Sequence, residues 1–208
     1  KKKIDEKKEE LKKGVLKEEI FPTLLHYFRT LMGRDPSTPE IETWVSRSIP
    51  NERLDVEALK NQILTSAEYA ERSRFVASVK ASVENALNRY VTGNQAEKNT
   101  LRDSLGLADS DLVTLNSSEL DKILNWLKGK NLHFGQSAFF ALREALSEKG
   151  VSFTTEDLAT KALLIDILMG VIHQHNVEGS IVISMNALSK VAGLYGANLA
   201  PGSISFED

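Results

Sequence analysis

The chain has 208 residues, 41% of them apolar and 26% charged, with 12 Gly and 5 Pro, which excludes collagen-like, low-complexity and wholly disordered classes and predicts a packed core. A formal net charge of −3, with basic residues clustered only at the N-terminus, argues against a nucleic-acid partner. The absence of cysteine removes disulfides, zinc-thiolate sites and cysteine nucleophiles, and no apolar run reaches the roughly 18 residues that span a bilayer.

Lys1 to Lys13 mixes Lys and Glu, with apolar residues only at Ile4 and Leu11, which predicts a solvated helix tied down weakly. It lacks the apolar core and cleavage site of a secretory signal, although the piece is compatible with a longer secreted precursor. From Val15 on, Leu16, Ile20, Phe21, Leu24, Leu25, Phe28, Leu31 and Met32 form one broad helical stripe that Gly33 stops. Pro22 is predicted to mark a helix start near Phe21 or a kink there. Thr38-Pro39-Glu40 offers a capping hydroxyl, a proline and an acid in the first turn, so a short helix should carry Ile41, Trp44 and Val45 inward. Residues 54–64 read as a third helix with Val56, Leu59, Ile63 and Leu64 inward. Ser66 then caps a long segment over 67–91, with Phe75, Val79, Val83 and Leu87 at helical spacing.

Thr92-Gly93-Asn94 ends that helix, and the polar stretch to Ser117 holds a short helix at most, anchored by Leu101, Leu105 and Leu107. Ser118 with Asp121 predicts a start for a helix over 119–127 that buries Leu120, Ile123, Leu124 and Leu127. After a loop over 131–136, a helix begins at Ser137 and stops at Gly150. Thr154 with Asp157 caps a further helix reaching about His173, apolar nearly all round, within which Asp166 must either point to solvent or be paired. Ile181 to Ile183 is the only plausible strand, and Ser184 caps a last helix over 185–194. The fold class is therefore mainly α: a multi-helix bundle with at most one short strand, divided into a module over 1–92, a connector over 93–130 and a third part over 131–208.

Two segments resemble known families. Tyr27 to Val45, YFRTLMGRDPSTPEIETWV, with Ile63 to Tyr69, ILTSAEY, is similar to the bacterial phycobilisome-linker-like domain of unknown function. The shared pattern is an aromatic, Leu, Gly-Arg, an acid and Pro, then apolar-Trp-Val and a Ser-x-Glu-aromatic turn. The resemblance implies a helical module of a large bacterial surface or secreted protein, and the residues themselves read as a small bundle packed around Phe28, Trp44 and Tyr69 without a ligand. Arg34 would pair with Glu40 or Asp35.

Ser137 to Gly150, SAFFALREALSEKG, resembles the start of the double-glycine (bacteriocin-processing-like) cysteine peptidase domain, with Leu142, Leu146 and Gly150 in register and Ser137 at the cysteine. Residues 154–159 and 184–196 resemble two later segments of the same family. The resemblance implies the helical half of a papain-like domain whose parent performs proteolysis, with Ser137 at the nucleophile position and Asn131 at the oxyanion position. A cysteine at a helix N-terminus is activated by the unpaired N–H groups and the macrodipole, whereas a serine hydroxyl is far less acidic. With Ser137 for Cys, Ala138 for the family's Gly and Asn131 for its Gln, the expectation is a catalytically silent form, natural or engineered. Its base and C-terminal half would lie beyond Asp208.

The alternative is a non-enzymatic helical scaffold or protein-interaction module. No cofactor and no metal is expected: His173 and His175 are two apart with no nearby carboxylate cluster, His133 precedes Ser137 by four residues, and His26 reads as a core or boundary histidine. Partners are expected to be protein or peptide. The apolar helix is to be covered by the helices over 67–91 and 119–127, or else by self-association or the family's missing half. The cell surface or exterior of a bacterium is the favoured compartment.

Overall fold

The computed structural model describes residues 2–129, 136–147, 153–172 and 183–198, and among them every regular element is helical. Two compact units are present, Lys1–Ser73 and Arg74–Asp208.

The first unit opens with α1 (Lys2–Tyr27), which continues as a π-helical turn over Phe28–Met32 and stops at Gly33, φ +64°. The predicted helix start near Phe21 is not there: α1 runs through Pro22, held on both sides by the buried stripe Leu16, Ile20, Leu24 and Phe28. Strict four-residue spacing drifts by about 40° per step on a helix of 3.6 residues per turn, and the wider π turn returns Met32 to that stripe. His26, expected in the core or at its boundary, is exposed, with its ring set edge-on to that of Tyr27 at 5.0 Å.

Helix α2 (Thr38–Ser48) starts one residue before the expected cap, at Ser37, whose N–H and Oγ both donate to Glu40 Oε2 at 2.7 Å. It buries Trp44 and Val45. A single 3₁₀ turn (Ile49–Asn51) leads to α3 (Val56–Leu64), where Asp55 Oδ1 accepts the Ala58 N–H at 2.9 Å. Leu59 and Ile63 are buried, whereas Leu64, expected inward, is 44% exposed because it sits a quarter-turn past Ile63. Trp44, Phe28 and Leu59 share one core, with Tyr69 packed against it.

Helix α4 (Ala67–Thr92) begins at the predicted cap, where Ser66 Oγ accepts the Tyr69 N–H at 3.1 Å. Its later turns carry Phe75, Val79, Val83 and Leu87 into the core of the second unit. Helix α5 (Gln95–Ser104) is capped by Asn94 and Glu97, and α6 (Ser117–Gly129) by Asn116 and Glu119 rather than by Ser118 and Asp121. Residues 93–130, read from sequence as a connector, contribute Leu105, Leu107, Leu120 and Leu127 to that same core.

Helix α7 (Gln136–Ser147) and α9 (Met185–Leu194) both pack on α8 (Thr155–Leu168). Thr154 caps α8 as expected, its Oγ1 accepting the Asp157 N–H at 3.1 Å. The helix ends at Leu168, short of His173, because Gly170 takes φ +70° and the Val113 side chain fills the space where a Cβ would stand. Val113 N–H also donates to the Leu168 carbonyl at 2.8 Å, closing the C-terminus. Every residue from Ala162 to Leu168 is buried. Their cover includes the expected residues of α4 and α6. The expected strand and the expected stop at Gly150 lie outside the described residues, except for Ile183, which is in neither helix nor strand.

Leu163→Ala removes a side chain with no exposure from the centre of this core, and we expect a loss of about 2 to 5 kcal/mol in urea unfolding followed by circular dichroism. The equivalent change at exposed Leu64 is expected to cost well under about 1 kcal/mol in the same measurement.

Candidate functional site

Among the described residues of the first unit, the densest polar cluster is built on Arg34, which follows the Gly33 stop. Its guanidinium holds Glu40 with two hydrogen bonds of 2.9 Å (Nη1 to Oε2, Nη2 to Oε1) and Glu68 with two more, Nε to Oε1 at 2.6 Å and Nη2 to Oε2 at 2.8 Å. Nη1 also donates to the Asp35 carbonyl at 3.0 Å, and the guanidinium carbon lies 5.2 Å from the Phe28 ring centre. Such forked pairs match the planar geometry of arginine and not of lysine. Hydrogen bonds from Arg34 hold the Glu40 carboxyl down at about 2, against its partial burial and with help from Ser37. Hydrogen bonds to Glu68 and Glu40 raise the Arg34 pKa. The Asp35 carboxylate turns away to Arg29, at 2.6 Å and 3.2 Å.

Of the two partners expected for Arg34, Glu40 is confirmed and the Asp35 carboxylate is not one. Glu68 was legible only as part of the Ser-x-Glu-aromatic turn, since its partner is 34 residues away. A second unforeseen element is Arg72, buried one turn later on α4. Its guanidinium occupies the position a Cβ on Gly33 would need. Glycine meets both demands there, whereas a larger residue would carry the strain of the positive φ and displace the end of the Arg72 side chain.

In the second unit, Ser137 is the second residue of α7, within the helix's first turn. Asn131, His133, His173 and His175 lie outside the described residues. The buried carboxylate Asp166 is paired, as expected of an acid in an apolar helix. It accepts the Ser184 N–H at 2.8 Å and the Ser184 hydroxyl at 2.6 Å, while Ser184 Oγ accepts the Ala187 N–H at 3.0 Å as the α9 cap. Burial raises the Asp166 pKa and the two Ser184 bonds oppose that rise. At the opposite end of the α8–α9 contact, Asp157 Oδ2 accepts from Lys161 Nζ at 2.8 Å and from the Tyr195 hydroxyl at 2.7 Å. Burial raises the Tyr195 phenol, so this is a joint between helices and not an activated tyrosinate.

Among the described residues, no group of three or more His, Asp or Glu is placed to hold a metal ion, and no helix is long and apolar enough to cross a membrane. No protein-family model matches the chain, and neither a curated protein nor a solved structure is detectably similar to it.

The depressed Glu40 pKa fixes a pH dependence. The unfolded chain protonates Glu40 near its ordinary value of 4.5, the folded chain only near 2, so its contribution is full above pH 4.5 and is lost as pH falls toward 2. We expect about 1 to 2 kcal/mol after solvent screening, read as acid sensitivity of Trp44 fluorescence in a Trp126→Phe background. Arg34→Met should reduce that sensitivity, and Arg34→Lys should restore it only in part. In the second unit, Asp166→Ala should cost about 1 to 3 kcal/mol by orphaning the Ser184 donors, and Asp166→Asn less.

Proposed function

We propose that the chain is a non-enzymatic helical scaffold, an interaction module of a larger bacterial surface or secreted protein. The observation that supports this reading is the Arg34 cluster. The Gly-Arg, acid-Pro and Ser-x-Glu-aromatic elements that resemble the linker-like domain converge on one set of ion pairs. They tie the end of the π turn to the starts of α2 and α4, so the motif's most chemically distinctive residues act as a joint. The aromatic residues of that motif, Phe28, Trp44 and Tyr69, belong to the core beneath it.

A second reading, a silent Cys-to-Ser form of the helical half of a papain-like peptidase, is favoured by the position of Ser137. A helix N-terminus is where the double-glycine peptidases hold their nucleophile, and α7 packs on the apolar α8. Here Ser137 is the second residue of α7, in the first turn, where a thiol in its place would meet the helix N-terminus.

One pair of variants tests both readings. The chain should hydrolyse no peptide substrate, and Ser137→Ala should leave that unchanged; turnover abolished by Ser137→Ala would overturn the scaffold reading. Ser137→Cys is expected to stay inactive while its alkylation profile shows a thiol pKa below the ordinary value of about 8.5. A profile equal to that of free cysteine would remove the support for the second reading.

A further inference from the structure

We infer that α1 is a self-association surface, pairing antiparallel with the α1 of a second copy of this chain. The inference goes beyond the scaffold reading, which is silent on oligomeric state, and rests on residues that reading does not use.

On α1 the buried stripe is Leu16, Ile20 and Leu24, which faces the core. At 100° per residue, Leu11 and Val15 lie on the opposite side of the helix. They are 64% and 57% exposed, the two most exposed large apolar residues among the described residues of the first unit. Between them and the buried stripe runs a groove floored by Leu11, Val15, Leu16 and Ile49 and edged by Glu19, Lys12 and Glu52, the last two paired with each other at 3.4 Å. Single exposed apolar residues are ordinary, but two of them one turn apart beside an apolar groove make a continuous strip.

The charges flanking that strip specify its occupant. On one edge stand Lys7 and, three turns on, Glu18; on the other stand Lys8 and Glu19; all four are exposed. The basic end of each edge is N-terminal and the acidic end C-terminal. Two such helices laid antiparallel, with Leu11 of each opposite Val15 of the other, bring Lys7 to Glu18 of the second copy and Lys8 to its Glu19. The twofold operation repeats both pairs, so four oppositely charged contacts surround four apolar side chains, and like edges face each other as antiparallel helix pairs require. A parallel pairing, in which unlike edges face, would instead set Lys7 against Lys8 of the second copy and Glu18 against its Glu19. The strip is therefore self-complementary in one orientation only.

Sedimentation of the full chain tests this directly. The wild type should show concentration-dependent association at low salt. Lys7→Glu with Lys8→Glu, and separately Glu18→Lys with Glu19→Lys, should each weaken it about tenfold or more, because every rim contact becomes repulsive. An equimolar mixture of the two double variants should associate again, since acidic and basic rims then complement each other at all four contacts. These positions are exposed, and unchanged circular dichroism of each variant controls for folding. The chain has no cysteine, so Leu11→Cys and Val15→Cys report the register. The mixed 11-to-15 disulfide should form faster than either symmetric one, whose partners are offset by about 6 Å along the axis. A wild type that stays monomeric at high micromolar concentration overturns the inference. So does association that the charge variants leave unchanged, a mixture that fails to recover it, or a preference for symmetric disulfides.

Discussion

A helix that is apolar on every side has to be enclosed, and in the second unit that requirement falls on α8. Its residues from Ala162 to Leu168 are all buried, so no one neighbour suffices. Each large side chain among them is worth about 1.5 to 3 kcal/mol when fully withdrawn from water. The core that forms around α8 accordingly draws side chains from α4, α6, α7 and α9 together. The same enclosure makes Asp166 expensive unless it is hydrogen-bonded. Ser184 answers that demand with both its N–H and its hydroxyl, and in doing so fixes where α9 begins. The position of the last described helix thus follows from one polar residue in an otherwise apolar one.

The first unit is organised differently. Its core is smaller, and the chain turns sharply between the π turn and α2 with few apolar residues to hold it. Arg34 supplies the missing order by bridging two carboxylates from separate helix starts. The side chains are about one-third exposed for Arg34 and Glu40 and half exposed for Glu68, so solvent screens the pairs and their net contribution to stability is modest. What the forked geometry contributes is direction: it sets the angles at which α2 and α4 leave the joint. Gly33 and Arg72 make that joint close-packed, since the guanidinium of Arg72 rests where any larger residue would intrude.

Local signals in the sequence carried the helices well and their ends less well. Stripes such as Phe75, Val79, Val83 and Leu87 are repeated over several turns, so their phase is unambiguous. Caps are decided by single hydrogen bonds, and several residues near each start have suitable side chains. Ser37 is chosen over Thr38, and Asn116 over Ser118, by which one stands three residues ahead of a glutamate. The end of α8 had a local signal in Gly170 that the apolar run to Ile172 masks, and its closure by Val113, a residue from another segment, was beyond local reading. Long-range ion pairs show the same division. Arg34 and Glu68 each stood out within its motif, but nothing in the spacing links two residues 34 apart.

The placement of charge across the chain separates joints from surfaces. Arg34 with its two glutamates, Asp166 with Ser184, and Asp157 with Lys161 and Tyr195 all lie where one helix end meets another. In each, the polar atoms are turned toward partners within the same unit and hold a junction at defined geometry. Four charges of α1 are placed differently, although Lys12 of the same helix pairs with Glu52 within the unit. Lys7, Lys8, Glu18 and Glu19 lie along an outward strip beside exposed Leu11 and Val15, on a stretch of helix where no junction needs them. Exposed charges of both signs promote solubility wherever they stand, but segregating them by sign along one apolar strip adds nothing to solubility. Segregation of that kind selects an orientation between two helices, which is why the proposed pairing of two copies rests on this strip and not on the polar joints.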